Sequence, residues 1–110
     1  RPSLPAANVA PGRVEALAVG RDRFGNLALL AGPDDLRAAG LAAGDPVWVT
    51  AGERRHRARV GGVFADVPRG GLLVHVDSAG MLALAVNGGS AAERLGIALG
   101  EAVGVLRMRR

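Results

Sequence analysis

DRFGNLALL (residues 22–30) and DSAGMLALA (residues 77–85) are two versions of one nine-residue phrase in a single chain. Each opens on an aspartate, places a glycine three positions on (Gly25, Gly80) and runs into an alternating apolar stretch. Asp at the first and Gly at the fourth position mark a type I turn, where the carboxylate accepts hydrogen bonds from the amides that follow it. Each phrase therefore predicts the closed tip of a β-hairpin. After a one-residue shift, GLAAGDPVWV (40–49) also falls on GIALGEAVGV (96–105). Each half then follows the order strand, Asp-x-x-Gly turn, strand, helical turn, glycine, strand. Two such halves can pair their sheets about a pseudo-twofold axis and bury Leu27, Leu29, Leu82 and Leu84 between them.

Working outward, apolar stretches of strand length alternate with glycine-rich turns at 13–20, 26–31, 46–51, 57–64, 72–76, 81–86 and 102–108. Two helical turns interrupt them at 34–39 and 90–95, ending at Gly40 and Gly96, which suit a left-handed cap, and Ser90 with Glu93 predicts a capping box for the second. Seven short strands predict an all-β fold, a small, mostly antiparallel β-barrel, closed or nearly so. RPSLPAANVAP (1–11) carries Pro2, Pro5 and Pro11 without periodicity, which predicts an extended linker and a barrel domain over 12–110.

A chain of 110 residues fits one domain, burying roughly 65% of its unfolded surface. It has no cysteine, lysine or tyrosine, a single threonine (Thr50) and two histidines. Disulfides, Schiff-base lysines, Walker-type phosphate lysines and cysteine metal sites are excluded, and nucleophiles are scarce. All fourteen basic residues are arginine, for a net charge of +4. That charge suits an acidic partner, although arginine with abundant Ala and Gly also marks a GC-rich coding sequence. No apolar run approaches the ~20 residues of a membrane span and no signal segment opens the chain, so a soluble, cytoplasmic protein is expected. The first residue is Arg1, which predicts further sequence upstream.

Three stretches could carry chemistry. Asp22, Phe24 and Asn26 stand two apart around the first hairpin tip, so alternation could present a carboxylate, an aromatic face and an amide on one side. These groups suit a ligand with an ammonium group and a purine. The alternative is that Asp22 closes its turn, Phe24 plugs a barrel end and Asn26 serves the backbone. In the second stretch, Asn87-Gly88-Gly89 leads a strand into a helix start, where glycines let a ligand approach the main chain and exposed N–H groups favour an anion or a ring nitrogen. Ser78 adds a hydroxyl in the neighbouring turn; a corner needing Gly88 and Gly89 for its shape alone is the alternative. The third, ERRHRARV (53–60), is a basic strip of Arg54, Arg55, Arg57 and Arg59 with His56. It could bind nucleic acid, but it also fits the charges that protect an edge strand. His75 alternates with Leu73 and is expected to be an ordinary strand residue.

Taken together, Asp22-Arg23-Phe24-Gly25-Asn26-Leu27, Phe64-Ala65-Asp66-Val67-Pro68 before a glycine pair, and the run from Asp77 to Gly96 resemble the C-terminal domain of the S-adenosylmethionine hydroxide adenosyltransferase family, which includes fluorinases and chlorinases. The resemblance spans residues 12 to 106. It implies a β-barrel that follows a catalytic N-terminal α/β domain and a linker in the intact protein. It also implies homotrimers holding S-adenosylmethionine between one subunit's N-terminal domain and the neighbour's barrel. S-adenosylmethionine is then a substrate, with adenosine as product, and no cofactor is implied. By resemblance, Asp22 meets the methionine ammonium and Ser78 the methionine end near its carboxylate. Asn26 bonds the adenine edge and Phe64 stacks on adenine, while the main chain of Val86 and Gly88, flanking Asn87, reads the base. No catalytic residue is carried over. The chain departs from the family's usual pattern after FGN, where Leu29 and Leu30 replace a Thr-Asn pair. It departs again at Ala79, where some halogenating members have arginine; this favours water over halide. The alternatives are a basic barrel for nucleic acid and a structural trimerisation module.

Overall fold

The structure, a computed structural model, describes residues 6–109. The chain forms β1 (Asn8–Ala10), β2 (Arg13–Arg21), β3 (Leu27–Leu29), α1 (Pro33–Ala39), β4 (Pro46–Ala51), β5 (Arg54–Val60), a 3-10 turn (Phe64–Asp66), β6 (Leu72–Val76), β7 (Leu82–Val86), α2 (Ala91–Leu95) and β8 (Ala102–Arg107). Strands pair in the order β2-β3-β7-β6-β5-β4-β8, and β8 returns to β2, closing a seven-stranded barrel; β1 lies against β2 as an extra strand. Every pairing is antiparallel except β5 with β6.

Alternation explains the core. Val14, Ala16 and Ala18 of β2 face inward with Leu27 and Leu29 of β3, Val47 and Val49 of β4, Leu82 and Leu84 of β7, and Val103 and Val105 of β8. The four leucines expected to meet do so, with Leu27 opposite Leu84 and Leu29 opposite Leu82, each at most 1% exposed. Both hairpin tips close as their sequence predicts. Asp22 Oδ1 accepts from Phe24 N (2.9 Å) and Asn26 N (3.0 Å), and Asp77 Oδ1 accepts from Ala79 N (2.9 Å) and Met81 N (3.0 Å). Gly25 and Gly80 take φ of +84° and +80°, the left-handed region that favours glycine.

Both helices end at left-handed Gly40 and Gly96, as expected. The capping box at α2 is half formed, with Ser90 Oγ accepting from Glu93 N at 3.2 Å; a further helix-start amide, Ala92 N, donates to the Gly25 carbonyl at 2.8 Å. The first hairpin tip thus caps α2.

Two expectations are corrected. The strand placed at 57–64 lies at Arg54–Val60, because Gly61 and Gly62 release the chain and the Asp66 carboxylate accepts from Gly62 N (2.7 Å) and Val63 N (3.1 Å), coiling Phe64–Asp66 into a 3-10 turn. Of the stretch read as linker, residues 1–5 lie outside the described residues, whereas Asn8–Ala10 is extended but bonded to β2. No described helix is long and apolar enough to cross a membrane.

Candidate functional site

The β2–β3 tip, the β7–α2 corner and the 3-10 turn meet at one end of the barrel. A cleft of about 480 Å³ opens there, lined by Phe24, Asn26, Phe64, Val86, Gly88 and Gly89. Phe24 and Phe64 are 64% and 47% exposed, far more than core phenylalanines. The expectation that Phe24 could plug the barrel is therefore not met; it stands beside the cleft with the Arg23 guanidinium 4.9 Å from its ring centroid.

A smaller cleft of about 210 Å³ adjoins the first at Asn26, and Asp22, His75, Asp77 and Ala83 also line it. Asn26 links the two, since its Nδ2 donates to Asp22 Oδ2 at 2.9 Å. Burial raises the Asp22 carboxyl's pKa, but hydrogen bonds from the Asn26 main chain and side chain, Phe24 and Gly25 outweigh it and hold the group below its ordinary value. Asp22 is thus an anion at neutral pH. Its folded pKa is depressed, so its contribution to the turn is present above the ordinary carboxylate value and lost as pH falls through the lower folded value. In an NMR titration the Phe24 and Asn26 amides are expected to hold their shifts as pH falls to the ordinary carboxylate value and to move together only below it. Asp22→Asn is expected to abolish that movement.

Asn87 works from behind the cleft. Its Nδ2 donates to the carbonyls of Val67 (3.1 Å) and Phe64 (3.3 Å), tying the 3-10 turn to the end of β7. The Phe64 ring is therefore positioned by a side chain that does not line the cleft. Ser78 is exposed on the second tip and lines neither cleft. Two of the helix-start amides expected to be open are occupied, Ala92 N by Gly25 and Glu93 N by Ser90. Gly88, in contrast, makes no main-chain hydrogen bond among the described residues.

The structure thus gathers Phe24, Asn26, Phe64, Val86 and Gly88 in one cleft, puts Asp22 in its neighbour and sets Asn87 behind the first. Several residues lining the smaller cleft, Gly20, Arg21, Ala28, His75, Asp77 and Ala83 among them, carried no site role in the sequence expectation. Asp77 was legible only as a turn former. His75 Nε2 is buried without a hydrogen-bond partner, beside a cleft that also holds two carboxylates, a proximity only the hairpin pairing reveals. No cluster of three or more metal-ligating side chains occurs among the described residues.

Comparison with known proteins identifies relatives of this chain. The (R)-S-adenosyl-L-methionine hydrolase of Salinispora arenicola (strain CNS-205) is 63% identical over 38 residues, which is 34% of this chain and 15% of that protein. The enzyme of the same name from Salinispora tropica is 55% identical over 49 residues, 44% of this chain and 18% of that protein. A crystal structure of an uncharacterized conserved protein from Thermotoga maritima superposes with a TM-score of 0.89 at 32% identity, covering 96% of this chain and 40% of that one. A conserved hypothetical protein from Thermus thermophilus gives 0.65 at 37% identity, covering 94% and 38%. The chain thus spans well under half of each solved relative, and the matched stretch is less than a fifth of each curated one. The profile described as SAM hydroxide adenosyltransferase C-terminal domain covers residues 18–104, which take in every cleft-lining residue named above, and the chain belongs to that family.

Proposed function

We propose that this barrel is the ligand-gripping part of an S-adenosylmethionine hydrolase. The observation that carries the proposal is the pair of clefts joined at Asn26: two exposed aromatic walls in one and an ionised carboxylate in the other. Adenine lies between Phe24 and Phe64, where aromatic stacking favours a flat base, and its edge meets Asn26 and the unpaired main chain of Gly88. The methionine end runs toward Asp22, whose charge pairs with the ammonium, and toward Ser78 on the second tip. Both tips are held by their own hydrogen bonds before ligand arrives, which lowers the ordering cost of binding.

The proposed reaction is an in-line displacement. The water oxygen bonds to the ribose 5′ carbon as the carbon–sulfur bond breaks, the electron pair stays on sulfur, methionine leaves and the water proton is released to give adenosine. The barrel contributes grip and orientation, while the groups that activate water reside on a separate N-terminal domain of the same or a neighbouring subunit of a trimer. Without them, positioning alone leaves most of the barrier standing, so the barrel by itself is inactive.

Calorimetry on the full-length protein tests the proposal. S-adenosylmethionine and adenosine are both expected to bind, and Asn26→Ala is expected to weaken both about tenfold, the size of one lost polar contact with a partner left unpaired. Asp22→Ala is expected to weaken S-adenosylmethionine much more than adenosine, which has no ammonium. Equal loss for both ligands, or none, overturns the assignment of Asp22; failure of both ligands to bind overturns the proposal.

A further inference from the structure

β5 is paired unevenly. On one side β4 follows it throughout, from Pro46 opposite Arg59 to Ala51 opposite Arg54. On the other, β6 reaches only Arg59 and Val60. The main chain of Arg54–Ala58 therefore presents an edge with no strand on it among the described residues. β2 shows how such an edge is filled. β8 lies on β2 as β4 lies on β5, with Leu106 opposite Arg13 and Ala102 opposite Leu17 where Thr50 stands opposite Arg55 and Pro46 opposite Arg59. The remaining side of β2 there is taken by β1, from Asn8 opposite Glu15 to Ala10 opposite Arg13. The matching place beside β5 holds no such strand.

The side chains bordering this edge are ordered and of one sign. Arg55 and Arg57 lay their guanidinium groups on Trp48, 4.1 and 5.4 Å from its ring centroid, and both residues are exposed. Arg59 stands on the same outer face and donates to the Gly44 carbonyl at 2.6 Å. The one ion pair among the described residues, Arg37 with Asp34, lies on α1, so none of these three has a carboxylate partner. A stacked guanidinium keeps its N–H edge free and loses little freedom when it meets a carboxylate.

We propose that the Arg54–Ala58 edge of β5 is a strand-addition site for an extended acidic segment of a partner polypeptide. Unpaired main-chain N–H and C=O groups are the complement of another backbone, and they supply affinity in strand addition while alternate side chains supply specificity. Arg55 and Arg57, two residues apart, face carboxylates that are likewise two apart on the incoming strand. A second copy of β5 is excluded by the same spacing, since it would set arginine against arginine. Nucleic acid fits less well, because arginines already occupy the Trp48 ring that a base would need.

The test uses three probes on the full-length protein: an alternating Glu-Val octapeptide, its Lys-Val counterpart and a single-stranded oligonucleotide of equal negative charge. The Glu-Val peptide is expected to bind and to slow hydrogen exchange at the Arg55 and Arg57 amides, with the Lys-Val peptide inert. Arg55→Glu/Arg57→Glu is expected to weaken Glu-Val binding at least about tenfold and to let the Lys-Val peptide bind instead. Binding without amide protection, equal protection by the oligonucleotide, or no binding of the Glu-Val peptide each overturns the proposal. Because S-adenosylmethionine binding is read separately by calorimetry, either proposal can fail without the other.

Discussion

Gly25→Ala is expected to lower folding stability by about 3 kcal/mol. Two costs add. Gly25 sits at φ +84°, where a Cβ costs about 1–2 kcal/mol. That Cβ would also overlap Ser90 Oγ and come within 2.6 Å of Ser90 Cβ, and relieving such overpacking costs typically about 1–3 kcal/mol. Denaturant unfolding checks the total, and Gly25→Ala/Ser90→Gly separates the parts. Glycine still serves as an N-cap at a cost of a few tenths of a kcal/mol, so the double variant is expected to recover the steric share and keep the backbone share. If the double variant is no more stable than Gly25→Ala, the hairpin tip does not seat on α2 as described. The cost reaches function because Gly25 lies between Phe24 and Asn26, so displacing the tip displaces one wall of the cleft.

Phe64→Ala is expected to weaken S-adenosylmethionine binding about 10- to 100-fold, the range for losing one base–aromatic stack. Phe64 is nearly half exposed and outside the buried core, so the unfolding midpoint is expected to change little. Asn87→Ala supplies the control. It removes the two hydrogen bonds that hold the 3-10 turn, leaving the Phe64 ring present but unanchored. Its effect is expected to be smaller, near tenfold, and Asn87→Asp should not rescue it, because a carboxylate cannot donate to the Phe64 and Val67 carbonyls. Calorimetry and unfolding on the same samples decide: a large stability loss with intact binding would show that Phe64 is a packing residue.

Much of this was legible in residues 22–30 and 77–85. An Asp and a Gly three apart state a local hydrogen-bond pattern that needs no tertiary partner, and both turns formed. Gly40 and Gly96 mark helix ends for the same local reason. Legibility stopped where the deciding contact lies outside the local pattern. Alternation through residues 57–64 carries Phe64 into a strand, yet the Asp66 carboxylate curls the chain back on Gly62 and Val63. Leu72, Leu73 and Val74 are all buried, defeating simple alternation; Gly61, packed on Leu73, shows that the 61–67 segment covers the outer side of β6. Of the site, the residue types were readable, but the division of labour was not. Nothing local says that Asn87 points away from the cleft or that His75 and Asp22 line a common wall.

The contact between β2 and β8 joins nearly the first strand to the last. During synthesis the other six strands of the ring leave the ribosome as a sheet open on both flanks, and no arrangement of them seals the interior until residues 102–107 arrive. Such late, long-range closure makes for slow folding and a sticky nascent chain. Deleting β8 would therefore strip β2 and β4 of their shared neighbour at once, leaving an aggregation-prone open sheet in place of a slightly weaker barrel.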